Sequence, residues 1–129
     1  MAKPKTKILV VEDESLLLGL YQAKFLREGY EVLIADNGAK GFDMATQHLP
    51  DFILLDIIMR EVDGYEMLKR LKADKKTKNI PVVIFSNLSQ KHEIEKGLKL
   101  GANDFIIKTS VTPTELVKRV EEYLKKFKK

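Results

Sequence analysis

The sequence predicts an α/β domain, a parallel sheet covered by helices on both faces. Three observations predict it. Five short runs rich in Val, Ile and Leu occur along the 129 residues, five segments of helical character alternate with them, and the polar residues capable of chemistry fall just beyond the ends of the runs.

The elements follow in order. Lys7 to Val11 is nearly all apolar, as a strand buried on both faces should be. Ser15 to Glu28 carries Leu17, Leu18, Tyr21, Phe25 and Leu26 on one helical stripe, and Gly29 follows where a helix-ending glycine belongs. The second run, Glu31 to Ala35, begins with a charge, which suits an edge strand. Asp36-Asn37-Gly38 opens a second helix through Phe42 and Ala45. The third run is Phe52 to Leu55, and Asp63-Gly64 then opens a third helix through Leu68 and Leu71. After the fourth run, Pro81 to Phe85, the helix from about Lys91 to Leu100 has only Ile94 and Leu98 as strong apolar anchors and contains Gly97. It is expected to pack most weakly and to be mobile. The fifth run is Asp104 to Ile107. The last helix starts with a capping box, Thr112 to Glu115, has Pro113 at its first position, and turns Leu116, Val117, Val120, Leu124 and Phe127 inward.

Length and composition predict one domain over residues 1–129, with residues 1–6 and 128–129 as flexible ends. No apolar stretch approaches the roughly 18 residues of a membrane span, and the run behind the basic start is too short for a signal-peptide core. The absence of cysteine excludes disulfides and thiolate metal sites, and a cytoplasmic location is expected. Net charge is +4, but residues 1–7 and 115–129 each contribute +3, which leaves 8–114 at −2. Basicity is therefore terminal, and lysines at the end of a helix complement its dipole. No interleaving of Arg with aromatics occurs, so direct nucleic-acid binding is not expected, nor is a membrane partner.

In a doubly wound sheet, ligands bind beyond the carboxyl ends of the strands, where strand order reverses. Glu12 and Asp13 follow the first run, Asp56 the third, Ser86 the fourth and Lys108 the fifth, while the second ends in Ala35 with nothing reactive beside it. Taken singly, Asp56 could cap a turn, Ser86 could close one, and Lys108 could be a surface charge. Their convergence is what points to a site. Three gathered carboxylates repel one another unless a cation intervenes, and a hard ion such as Mg²⁺ or Mn²⁺ suits oxygen ligands from Asp13, Asp56 and Glu12, with Asp13 ranked above Glu12. A carboxylate beside such an ion and a lysine is placed to attack a phosphoryl group, which makes Asp56 the nucleophile, Lys108 the fixed charge and Ser86 a hydroxyl donor to the bound phosphoryl oxygen. His48 and His92 have no ligand partner at helical spacing, and no glycine-rich phosphate loop follows the first run to suggest a cofactor protein.

The ordered set Ile8-Leu9-Val10-Val11-Glu12-Asp13, Leu54-Leu55-Asp56 with Met59 and Asp63-Gly64, Val83-Ile84-Phe85-Ser86, and Gly101-Ala102 to Lys108 resembles the response-regulator receiver domain family over about Lys7 to Phe127. The resemblance implies a flavodoxin-like, three-layer αβα fold with strand order 2-1-3-4-5. It implies Asp56 as phosphoacceptor, Glu12 and Asp13 as the acidic pair, the main-chain carbonyl of Ile58 as a further Mg²⁺ ligand, Ser86 and Phe105 as switch residues and Lys108 as the invariant-type lysine of the site. The implied partners are a sensor histidine kinase or phosphotransfer protein, and a downstream protein that reads the face of the fourth helix, fifth strand and fifth helix. A stand-alone regulator is expected, which catalyses only its own phosphorylation and dephosphorylation. A receiver-like module that binds partners without phosphorylation is the alternative.

The chain departs from the family pattern at named positions. Arg60 stands where proline usually follows the methionine, which affects loop geometry more than chemistry. Thr109 follows Lys108 in place of proline, so a trans bond is expected there, since a cis bond before a non-proline residue costs about 2.5 to 4 kcal/mol. Phe105 replaces the common tyrosine and has no hydroxyl to offer a partner. Ile58 and Leu88, two residues beyond Asp56 and Ser86, are apolar where this family directs a hydrolytic water, which predicts slow self-dephosphorylation. Asn87 is larger than the usual small residue and is expected to slow phosphoryl entry.

Overall fold

A computed structural model describes residues 5–127 of the chain. Its strands are β1 (Lys7–Val11), β2 (Glu31–Ala35), β3 (Phe52–Leu55), β4 (Val82–Ser86) and β5 (Asp104–Ile107), joined through helices α1 (Ser15–Arg27), α2 (Gly38–His48), α3 (Gly64–Ala73), α4 (Lys91–Lys99) and α5 (Pro113–Phe127). All pairings are parallel and the order is β2-β1-β3-β4-β5, so the charged-start strand β2 is an edge as expected. Of the expected flexible ends, residues 1–4 and 128–129 lie outside the described residues. The Thr6 carbonyl accepts the Glu31 N–H at 2.9 Å, one residue before β1 begins.

The continuous apolar runs reflect two cores served by alternate residues of the same strands. Leu9, Val11, Ile53, Leu55, Val82 and Ile84 face α2, α3 and α4, while Ile8, Val10, Phe52, Leu54, Val83 and Phe85 face α1 and α5. The helix starts follow capping chemistry. Asn37 Oδ1 accepts the Lys40 N–H (2.9 Å), Asp63 Oδ1 accepts the Glu66 N–H (2.9 Å), and Thr112 and Glu115 exchange side-chain and main-chain bonds. Gly29, at φ +93°, ends α1 in the left-handed region that glycine favours.

Several details differ from the sequence expectation. β4 runs from Val82 to Ser86 instead of Pro81 to Phe85, because proline has no N–H to donate and the ladder begins with Val82, whose N–H goes to Asn103 Oδ1. Leu26 leaves the α1 stripe and is 51% exposed. In α4, Leu98 is 43% exposed and Gly97 is the buried residue, since its missing side chain lets the helix lie directly on Ile84. Tyr123, an aromatic outside the inward stripe expected of the last helix, is buried in α5 as the aromatic residues at large are expected to be, with Phe52 and Phe127 stacked on its ring.

Candidate functional site

The sheet's main-chain bonding runs past the strand ends and fixes the first two positions of the site. The Asp56 N–H donates to the Val11 carbonyl at 3.0 Å, and the Glu12 N–H to Ala35 at 3.0 Å. Glu12 and Asp56 are buried, and one carboxylate oxygen from each of Glu12, Asp13 and Asp56 lies within 4.8 Å of the others. The β3–α3 loop is pressed against Asp56 by a glycine. A Cβ on Gly64 would stand 2.3 Å from the Asp56 carbonyl oxygen, and the Gly64 N–H donates to Ile57 at 3.0 Å. Gly38 makes the same kind of contact with Val62 at the other end of the loop.

Lys108 reaches across from the end of β5. Its ammonium forms ion pairs with Glu12 and with Asp56 Oδ2, the latter at 3.0 Å, with only 9% of its side chain exposed. Burial works against its charge, but its bonds to Glu12 and Asp56 outweigh burial and raise its pKa above the ordinary lysine value. Burial, with the like charge of Asp56, pushes Glu12 up despite its bond to Lys108. The second Glu12 oxygen accepts the Glu14 N–H at 3.1 Å, which anchors the turn into α1. Asp56 Oδ1 accepts the Ile57 N–H at 2.7 Å.

Asp13 is the outermost of the three acids. Its Oδ2 accepts the Arg60 N–H at 3.2 Å and lies 3.8 Å from the Arg60 guanidinium. Ser86 ends β4, paired in register with Ile107, and its hydroxyl is buried without a partner among the described residues. Such an orphan costs about 1–3 kcal/mol of desolvation, which is tolerated where a ligand supplies the missing bond. Phe105 pairs with Ile84 in register, so Phe105 and Ser86 share the sheet face under α4. The Phe105 ring packs inward within 3.5 Å of the position a Cβ on Gly97 would take.

The chain thus brings Glu12, Asp13, Asp56 and Lys108 into one cluster, with Ser86 at the end of the strand between Asp56 and Lys108. The all-oxygen, hard donor set suits Mg²⁺ or Mn²⁺. Ile58 stands in the loop beyond Asp56 with 57% exposure, whereas Leu88 is half-buried against the α2–α4 core. No cis peptide occurs among the described residues, so the Lys108–Thr109 bond is trans, and the chain leaves β5 through a single 3₁₀ turn, Lys108–Ser110. Sequence reasoning missed the Glu12–Lys108 pair and the Arg60 contact with Asp13. The available signals were the extra methylene of glutamate over aspartate and a cation in place of an N–H-less proline. Among the described residues no helix is long and apolar enough to cross a membrane.

Comparison with known proteins shows the family and the fold. The family model for the response regulator receiver domain matches residues 8–121. The chain is 41% identical over 102 residues to response regulator PleD of Caulobacter vibrioides, covering 79% of this chain and 22% of PleD. It is 34% identical to response regulator SaeR of Staphylococcus aureus, covering 96% of this chain and 53% of that protein. The chain therefore spans from about a fifth to about half of these curated relatives. The solved CheY-like receiver domain protein of Methanospirillum hungatei superposes with a TM-score of 0.88 at 23% identity, over 96% of this chain and 97% of that one, a likeness of fold.

Proposed function

Because the chain belongs to the response regulator receiver domain family, we propose that it is a phosphorylation switch in which Asp56 accepts a phosphoryl group from a phosphohistidine of a sensor kinase or phosphotransfer protein. The Asp56 carboxylate attacks phosphorus, the P–N bond of the donor breaks, and an acyl phosphate forms on Asp56. Lys108, already within 3.0 Å of that carboxylate, offsets charge on the transferring oxygens. Glu12, Asp13, Asp56 and the Ile58 carbonyl would hold a divalent cation, which when bound supplies further positive charge to those oxygens. Ser86 then turns its hydroxyl to a phosphoryl oxygen.

The switch follows from shared position. Ser86 and Phe105 lie on one sheet face beneath α4, so re-pairing of the Ser86 hydroxyl biases Phe105 and the α4–β5–α5 face that a downstream protein reads. The observation that carries the reading is the buried Asp56 carboxylate held by Lys108, with a Ser86 hydroxyl at the neighbouring strand end that has no partner among the described residues.

The test is intact-mass measurement after incubation with acetyl phosphate and Mg²⁺. One phosphate adduct, absent with EDTA and absent in Asp56→Asn, is expected. No adduct with acetyl phosphate or with any phosphorylated histidine donor would replace this reading with that of a phosphorylation-independent interaction module.

A further inference from the structure

The three carboxylates of the site are divided between two cations of the chain itself. Lys108 engages Glu12 and Asp56, and Asp13 is left to Arg60. The two cations differ in how they are held. The Lys108 side chain is 9% exposed and wedged between its partners, while that of Arg60 is 79% exposed and meets Asp13 from open solvent. An exposed side chain leaves its partner at little cost, whereas a buried one leaves uncompensated charge behind.

The loop keeps Arg60 at this post. Its ends are pinned by the Gly64 N–H on Ile57 and the Gly38 N–H on Val62, and Glu61, at φ +61°, turns the chain immediately after Arg60. The Arg60 main-chain N–H and guanidinium therefore converge on the same oxygen, Asp13 Oδ2. A proline at this position would bring neither an N–H nor a charge.

We propose that Arg60 is a built-in competitor for the divalent cation: it occupies Asp13 before metal binds, and metal entry is an exchange of Arg60 for the ion at that carboxylate. Arg60 thus acts as a positioning residue that weakens and tunes metal affinity, and the inference rests on the metal-dependent reading given above. After release, Asp13 turns to the ion and the guanidinium returns to solvent.

The experiment is Mn²⁺ titration of the whole chain, followed by the paramagnetic resonance of free Mn²⁺, for the wild type, Arg60→Gln, Arg60→Lys and Asp13→Asn. Arg60→Gln is expected to bind Mn²⁺ about two- to fivefold more tightly at low ionic strength, the range of an exposed ion pair. Arg60→Lys, which keeps a cation, is expected to stay near the wild type, and the gain in Arg60→Gln is expected to shrink as salt rises. Equal affinity in Arg60→Gln and wild type, with Asp13→Asn still weakened, would overturn the competition while leaving the metal site intact. A gain shared by Arg60→Lys and independent of salt would make Arg60 a loop-geometry residue and also overturn it. If Asp13→Asn binds Mn²⁺ as the wild type does, the metal reading itself fails and this inference with it.

Discussion

A lysine that touches two buried carboxylates does more for this site than neutralise charge. It joins the end of β5 to the ends of β1 and β3, so the acids, which would otherwise repel one another, are held together by the residue proposed to stabilise the phosphoryl group. The strand-end positions of Glu12, Asp13, Asp56, Ser86 and Lys108 were legible in the sequence because alternation of apolar runs with helices fixes where strands end. The pairing of Glu12 with Lys108 was not, since it depends on the reach of two side chains separated by 96 positions. Ile58 and Leu88 illustrate the same divide: both are apolar by sequence, but one is exposed and the other packed. With no polar group at either position to orient water, phosphorylated Asp56 is expected to be long-lived. Ile58→Asn combined with Leu88→Glu should speed loss of the adduct about tenfold or more, read as decay of the phosphorylated mass after the donor is removed. A second residue-scale expectation concerns Tyr123, whose hydroxyl donates to Asp104. Burial, and then the bond to Asp104, raise its pKa above the ordinary value of 10.0. The neutral phenol therefore favours the folded state, fully below that value and progressively less as pH rises through the folded pKa. Tyr123→Phe should be less stable by about 0.5–1.5 kcal/mol below pH ~10, with the gap closing above it, as urea unfolding at several pH values would show.

At the scale of elements, helix and strand types were legible because buried strands read as unbroken apolar runs and helices carry caps at Asn37, Asp63 and Thr112. Burial within α4 was not legible, because a glycine scored as a weak spot is the point of closest contact. Gly97 lets α4 rest on Ile84 and Phe105, while the nominal anchor Leu98 faces outward. Glycines in this chain therefore divide by what surrounds them. Gly64 stands where a Cβ would fall 2.3 Å from the Asp56 carbonyl oxygen and 2.7 Å from the Ile57 Cα, both backbone atoms that cannot yield without moving Asp56. Gly19 is exposed within α1 with nothing within 4 Å of its Cβ position. Gly64→Ala should destabilise by about 3 kcal/mol and impair adduct formation on Asp56, while Gly19→Ala should stabilise by roughly 0.5–1 kcal/mol. Chemical denaturation of the two variants checks the pair, and equal effects would mean that the loop relaxes around Gly64.

At the scale of the molecule, both cores are lined by the same five strands, so neither can melt without exposing the other, and unfolding should be a single cooperative transition. That links the site to global stability. Three carboxylates at one sheet edge oppose folding by mutual repulsion, which Lys108 and Arg60 offset only in part, and a cation that binds the folded state alone must stabilise the whole chain. At about a hundredfold excess of Mg²⁺ over its Kd, the gain is about 2.7 kcal/mol. Asp13→Asn separates the two contributions because it removes one repelling charge and one ligand at once. In EDTA the variant should be at least as stable as the wild type, and at saturating Mg²⁺ it should be less stable, so the order of the two proteins inverts as metal is added. Urea midpoints measured with and without Mg²⁺ read this directly. Equal stabilisation of both proteins by Mg²⁺ would place the ion away from Asp13, and the carboxylate cluster would then be held by Lys108 and Arg60 alone.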